Sequence, residues 1–172
     1  TVCGEARRIA AGRFPDADWA ELVRRWRLGY FAALDGRGAW IPVRAVYRDA
    51  LDTALDECGI AGFSAAERDE LTQAWRRLRP WPDVVPGLNR LKRAYTLATL
   101  SNADVSAVVE ISKRAGLPWD AVFAAEMAGV FKPDPAIYRS DAAYPAPTRT
   151  VLGVQQKRGL ACLFVNLNPV AY

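Results

Sequence analysis

Lys132 stands in the phrase Val130-Phe131-Lys132-Pro133-Asp134-Pro135, a single lysine framed by prolines. Thirty residues earlier, the apolar run Thr96-Leu97-Ala98-Thr99-Leu100 ends in Ser101-Asn102. A lysine supplies a positive charge, and a hydroxyl beside a carboxamide supplies hydrogen-bonding groups, so these residue types could gather polar chemistry around a ligand. The sequence contains no histidine. That excludes Ser-His-Asp and Cys-His catalysis, and leaves carboxylates, lysine or tyrosine as general bases. Cys3, Cys58 and Cys162 lack metal-ligand spacing, so zinc is excluded as well. They read as reduced thiols of a cytoplasmic protein.

Positioning these groups takes a βαβ unit. The run 96–100 reads as a buried strand, a helix follows from Asp104 to Ala115 and stops at Gly116, and Ala121-Val122-Phe123-Ala124 is a second short strand. Ser101 and Asn102 then lie at the carboxyl edge of a sheet, where open α/β sheets bind ligands. They suit a helix N-cap equally well, and a helix N-terminus is itself an anion site. A helix is expected around Pro86–Tyr95, another from Pro135, and further strands at Arg149–Val154 and Leu160–Val165.

The preceding part of the chain is different. Leu22, Val23, Trp26, Tyr30 and Ala33 recur at helical spacing after Asp16 or Asp18. Val43, Val46, Tyr47, Ala50, Leu51, Ala54 and Leu55 form a second stripe after Pro42, stopped at Gly59. Ser64-Ala65-Ala66-Glu67 is a capping box opening a third helix, with Leu71, Ala74, Trp75 and Leu78 inward. Three helices without a strand read as an inserted helical domain.

The order and spacing of Leu100-Ser101-Asn102 and Lys132-Pro133-Asp134-Pro135 with Tyr138 resemble two motifs of the haloacid dehalogenase (HAD) superfamily. The phrases Pro80-Trp81-Pro82-Asp83-Val84-Val85-Pro86-Gly87 and Ala115-Gly116-Leu117-Pro118-Trp119-Asp120 are similar to its type II, L-2-haloacid dehalogenases. The resemblance implies an α/β, HAD-like Rossmannoid core, residues 1–12 and 81–172, with an inserted helical cap at 13–80. It implies hydrolytic dehalogenation of short 2-haloalkanoic acids to 2-hydroxy acids through an aspartyl ester, without a metal or other cofactor. Lys132 and Ser101 would be catalytic, and Asn102, Arg27 and Tyr138 would bind substrate.

Each assignment has a plainer counterpart. Tyr138 also suits a half-buried core position, and Arg24 competes with Arg27 in matching the subfamily's Trp-Arg-x-x-Tyr. Lys132 also suits a solvated loop position, Trp26 and Tyr30 read as cap core, and Asp134 as a turn carboxylate. The superfamily's nucleophilic aspartate ends its first strand in an Asp-x-x-Gly-Thr context, of which Thr1-Val2 resembles only the tail. The first strand, the aspartate and a late helix carrying the fourth motif are therefore expected outside this sequence. Val154-Gln155-Gln156-Lys157-Arg158-Gly159-Leu160 is too short for a crossover helix between parallel strands.

Two rival functions remain. A HAD phosphatase would use the same lysine and serine with Mg²⁺ held by acidic residues, and a catalytically silent HAD-fold binding protein would need no aspartate. At 172 residues with half of them hydrophobic, the chain is long enough for a packed core. The net charge of +4 is spread along the chain, with only Arg24-Arg25-Trp26-Arg27 and Arg76-Arg77 clustered, so nucleic acid is not an expected partner. No run approaches the roughly 20 apolar residues of a membrane span. The expected partner is a small 2-haloacid, and the choice between monomer and homodimer stays open.

Overall fold

The structure, a computed structural model, describes residues 1–35 and 40–138 together with the backbone of 160–162. Its contacts divide the chain into a helical unit, Thr1–Arg37 with Ile41–Leu78, and a sheet unit made of Gly38–Trp40 with Arg79–Tyr172. The architecture is the α/β, parallel-sheet arrangement that the sequence predicts.

The helical unit contains α1 (Val2–Ala10), α2 (Trp19–Leu34), α3 (Val43–Glu57) and α4 (Ala65–Thr72), the last running into a 3-10 turn, Gln73–Arg77. Each start has a local cause. Asp18 accepts from the amides of Ala20 and Glu21, both at 3.0 Å. At α4, Ser64 Oγ accepts from Glu67 N at 3.2 Å and the Glu67 carboxylate accepts from Ser64 N at 2.8 Å, the reciprocal box that its sequence predicts. The third helix is shorter than its apolar spacing suggests, tightening to 3-10 after Thr72. The predicted stripes of α2 and α3 are buried, except that Tyr47 is half-exposed and Ala33 lies at the margin.

Aromatic rings fill this interior. Tyr30 stacks on Tyr47 with centroids 4.2 Å apart, and Trp26 meets Trp75 edge-on at 5.3 Å while donating from Nε1 to the Tyr47 carbonyl at 2.7 Å. Residues 1–12, expected with the sheet, belong instead to the helical unit. The reason is packing: Val2, Ala6, Ile9 and Ala10 bury one face of α1, and Arg77 donates to Glu5 at 2.6 Å.

The sheet unit carries α5 (Val84–Lys92), β1 (Thr96–Ser101), α6 (Val105–Ala115), β2 (Ala121–Ala124), α7 (Ala125–Ala128), a 3-10 turn (Pro135–Tyr138) and β3 (Leu160–Cys162). The strand order is β2-β1-β3, all parallel, with Ser101 opposite Ala124 and Thr96 opposite Leu160. The helix predicted from Pro135 appears as a single 3-10 turn within the described residues. The predicted strand at Arg149–Val154 and the short connection 154–160 lie outside them. Glycine at 116 takes φ +65°, the left-handed conformation that ends α6.

Side chains fix the register of β1. Asp120 accepts from the Leu97 amide at 2.8 Å, and its own amide donates to the Leu97 carbonyl at 2.8 Å. Buried Thr99 accepts from Phe123 N at 3.1 Å and donates to Phe123 O at 3.0 Å, duplicating a ladder contact between β1 and β2.

Candidate active site

The carboxyl end of β1 is where the predicted polar residues meet. Lys132 lies in the turn after α7, its side chain folded back so that Nζ donates to the Leu100 carbonyl at 2.9 Å. Its backbone amide donates to Asn102 Oδ1 at 2.7 Å, and Asn102 Nδ2 donates to the Lys132 carbonyl at 3.1 Å. Phe131 and Ile137, buried on either side, seat the turn in the core. Burial pushes the Lys132 ammonium below the ordinary lysine value, because desolvation disfavours the charged form. A half-buried lysine at a strand end is a site feature more than a scaffold feature.

Ser101 is the last residue of β1 and is half-buried, one residue beyond the Leu100 carbonyl that Lys132 Nζ meets. Neither Ser101 nor Asn102 caps α6, since the N-cap position falls to Asp104. The first amide of α6, Val105 N, donates to the carboxylate of Glu126 from α7. The anion at this helix start is thus one of the chain's own. Asn102, expected among the substrate contacts, directs its carboxamide at Lys132.

Asp134 behaves as the turn carboxylate that its setting predicts, accepting from Ala136 N at 2.7 Å. Tyr138 ends the 3-10 turn, and its side chain lies outside the described part of the structure. In the helical unit Arg27 is half-buried with its guanidinium 5.4 Å from the Phe31 ring centroid. Its competitor Arg24 is exposed and engaged by Glu21 at 2.6 and 2.7 Å. Trp26 and Tyr30 are core residues.

Lys92 is exposed at the end of α5. Its Nζ donates to the Pro118 carbonyl at 2.9 Å and pairs with Asp120. The amide of Leu97 and then Lys92 hold the Asp120 carboxyl below the usual carboxylate range. Three contributors escape sequence reasoning: Thr99, Glu126 and the Leu100 carbonyl. The first two leave a faint signal, a polar residue within an apolar run and an acid just after a strand. A backbone carbonyl leaves none. Among the described residues, no three His, Cys, Asp or Glu side chains converge as a metal site, and no helix is long and apolar enough to cross a membrane.

No curated protein sequence matches the chain. Among solved structures, a defluorinating L-2-haloacid dehalogenase is 34% identical with a TM-score of 0.74, over 83% of this chain and 61% of that one. A second L-2-haloacid dehalogenase is 32% identical with a TM-score of 0.71, over 83% and 64%. The L-2-haloacid dehalogenase of Xanthobacter autotrophicus is 27% identical with a TM-score of 0.70, over 87% and 62%. The chain spans about three-fifths of the length of these enzymes. The sequence model of the haloacid dehalogenase-like hydrolases matches residues 5–140, taking in both the helical unit and the Ser101–Lys132 strand end, and the chain belongs to that family.

Proposed function

We propose that the protein, together with an aspartate outside this sequence, hydrolyses short 2-haloalkanoic acids to 2-hydroxy acids. The observation that carries this reading is the half-buried Lys132 brought to the Ser101 end of β1 in a chain similar to L-2-haloacid dehalogenases. In the first step a carboxylate attacks C2 of the substrate, the new C–O bond forms as the C–halogen bond breaks, and halide leaves with the bonding electrons. Water then attacks the ester carbonyl, releasing the 2-hydroxy acid and regenerating the carboxylate.

Both carboxylates, the nucleophile and the substrate's own, need a cationic neighbour. Lys132 supplies it, and a carboxylate beside the ammonium restores the charged form that burial disfavours. Ser101 offers a hydroxyl to the substrate carboxylate. Arg27 is the candidate partner of the departing halide, and Tyr138 supports the lysine turn. Attack of a carboxylate on carbon needs no Lewis acid, so no metal enters these steps.

The test is halide release from 2-chloropropionate by the full-length gene product in excess EDTA. Halide release that survives chelation, with 2-hydroxypropionate formed in equal amount, is the expected result. Mg²⁺-dependent phosphate release without halide would replace this reading with the phosphatase. Neither activity, in a protein without the aspartate, would leave the binding protein.

A further inference from the structure

We infer that Trp40 is a further catalytic residue: its indole N–H donates to the halide as it departs from C2 of the substrate. The inference rests on the proposed dehalogenase reading.

Trp40 falls between α2 and α3 in the sequence, yet its contacts place it with the sheet unit. Its backbone amide donates to the Gly129 carbonyl at 2.9 Å. Gly129, with φ +69°, ends α7, which follows directly from β2. Lys132 comes shortly after Gly129, and Ser101 lies opposite Ala124 at the end of the β1–β2 ladder. The main chain of Trp40 is thus fastened to the carboxyl edge of the sheet, where open α/β sheets bind ligands.

The indole is half-buried, and its Nε1 is buried without a hydrogen-bond partner among the described residues. A buried donor left unpaired opposes folding, so each one in a native protein calls for a reason. Trp75 and Trp119 share the feature, but their settings differ. Trp75 stacks on Tyr47 and meets Trp26 edge-on, inside the helical unit. Trp119 precedes β2 at the opposite edge of the sheet, beside Asp120, whose amide bonds Leu97 near the start of β1. Of the three, Trp40 alone is fastened to the edge that carries Lys132 and Ser101.

The chemistry has a use for a neutral donor there. As the carboxylate's C–O bond forms, the C–halogen bond breaks and its electron pair leaves with the halogen. The charge on the halogen is new in that step. A donor aimed at it therefore acts more on the transition state than on the bound substrate, which is the condition for lowering the barrier. The substrate carboxylate is charged throughout, and Lys132 and Ser101 are assigned to it. Indole N–H is a donor only. It keeps its proton, does not compete with Lys132 for the carboxylates, and holds the halide loosely enough to let it go.

Trp40→Phe keeps a ring and removes the donor. In the full-length protein it should lower kcat/KM for halide release from 2-chloropropionate by about tenfold to a hundredfold. The loss should be smaller with 2-bromopropionate, because bromide is the weaker hydrogen-bond acceptor. Equal losses with both substrates would overturn the assignment to halide and put the donor on the substrate carboxylate. Unchanged kinetics would overturn the inference altogether.

A second measurement needs neither turnover nor a variant. The indole N–H resonance of Trp40, assigned by NMR in the parent, should shift on titration with sodium bromide, with ionic strength held constant by sodium sulfate. An unmoved resonance in a protein that releases halide would overturn the inference and leave the donor to a main-chain acceptor. A shifting resonance in a protein that releases no halide would instead overturn the substrate assignment. The catalytic role would fall with it, and Trp40 would remain a halide ligand.

Discussion

In the helical unit, Arg25 reaches Glu57 at 2.9 Å and Arg68 reaches Asp52 at 2.8 Å, all at or near the surface. In the sheet unit, Lys132 turns inward to a backbone carbonyl and loses water in doing so. Exposed pairs of the first kind contribute about 0–1 kcal/mol each. What holds the helical unit is therefore its aromatic interior, with the charges arranged around it. Drawing a lysine out of water opposes folding. A position that opposes folding and still carries a charge is better explained by chemistry than by architecture.

The largest effect should come from the aromatic interior. Trp26 is fully buried between Tyr47 and Trp75. Trp26→Ala should lower unfolding free energy by about 3–5 kcal/mol in urea titrations. Trp26→Phe keeps much of the ring contact but abandons the bond to Tyr47 O, and should cost about 1–2 kcal/mol. If Trp26→Ala cost no more than the surface pairs do, the contrast between the units would collapse.

Lys132→Met sharpens the contrast from the other side. Methionine keeps an apolar stem of similar length and removes the charge. We expect at least about a hundredfold loss in kcat/KM for halide release, or roughly 3 kcal/mol of transition-state stabilisation. Stability at neutral pH should be unchanged or higher. The sign follows from linkage: with its folded value below the unfolded one, the lysine binds its proton more readily in the unfolded chain. The parent then gains stability as pH rises from the folded value toward the ordinary lysine value, and Lys132→Met shows no such gain. Lys132→Arg should rescue poorly, because a planar guanidinium cannot occupy the point of an ammonium. Normal turnover in Lys132→Met would detach the motif from the chemistry.

Much of this was legible in the sequence, unevenly. The strand ending in Ser101-Asn102, the capping box at Ser64 and the stripe of α3 each follow from local spacing, and each is in its expected place. Local spacing says nothing about long-range polar bonds. Hence the spacing does not reveal that Asn102 bonds a residue thirty positions away, or that Lys92 reaches Pro118 and Asp120. The placement of residues 1–12 failed for a similar reason. A short amphipathic segment gives its buried face but not the element it packs on.

Asp120 is the sheet unit's own test of a surface carboxylate with a structural duty. Asp120→Ala strands the buried amide of Leu97, which accepts no substitute easily at that depth. A fall in Tm of about 2–4 °C is expected by calorimetry. Lys92→Ala should fall by less, since it removes only the exposed half of the arrangement. Equal and negligible shifts in both would show that the main-chain bond from Asp120 N to Leu97 O suffices to hold β1 in register.

The smallest effect belongs to Glu21 of α2. Arg24, and after it Arg25, hold its carboxyl at about 2, far below its ordinary value of 4.5. A depressed carboxylate contributes stability that is fully present above the unfolded value and is lost as pH falls through the folded one. The difference in Tm between parent and Glu21→Gln should therefore be constant from neutral pH to about pH 5, and vanish by about pH 2. Because the pair is exposed, the difference should be no more than about 1 °C even at low ionic strength. Molar salt, with a screening length of about 3 Å, should abolish it at any pH. A difference that persisted in salt and in acid would mean that Glu21 acts through packing of its stem on α2. Charge would then play no part at Glu21, and the contrast with the buried lysine of the sheet unit would rest on the other surface pairs of the helical unit, Arg25–Glu57 and Arg68–Asp52.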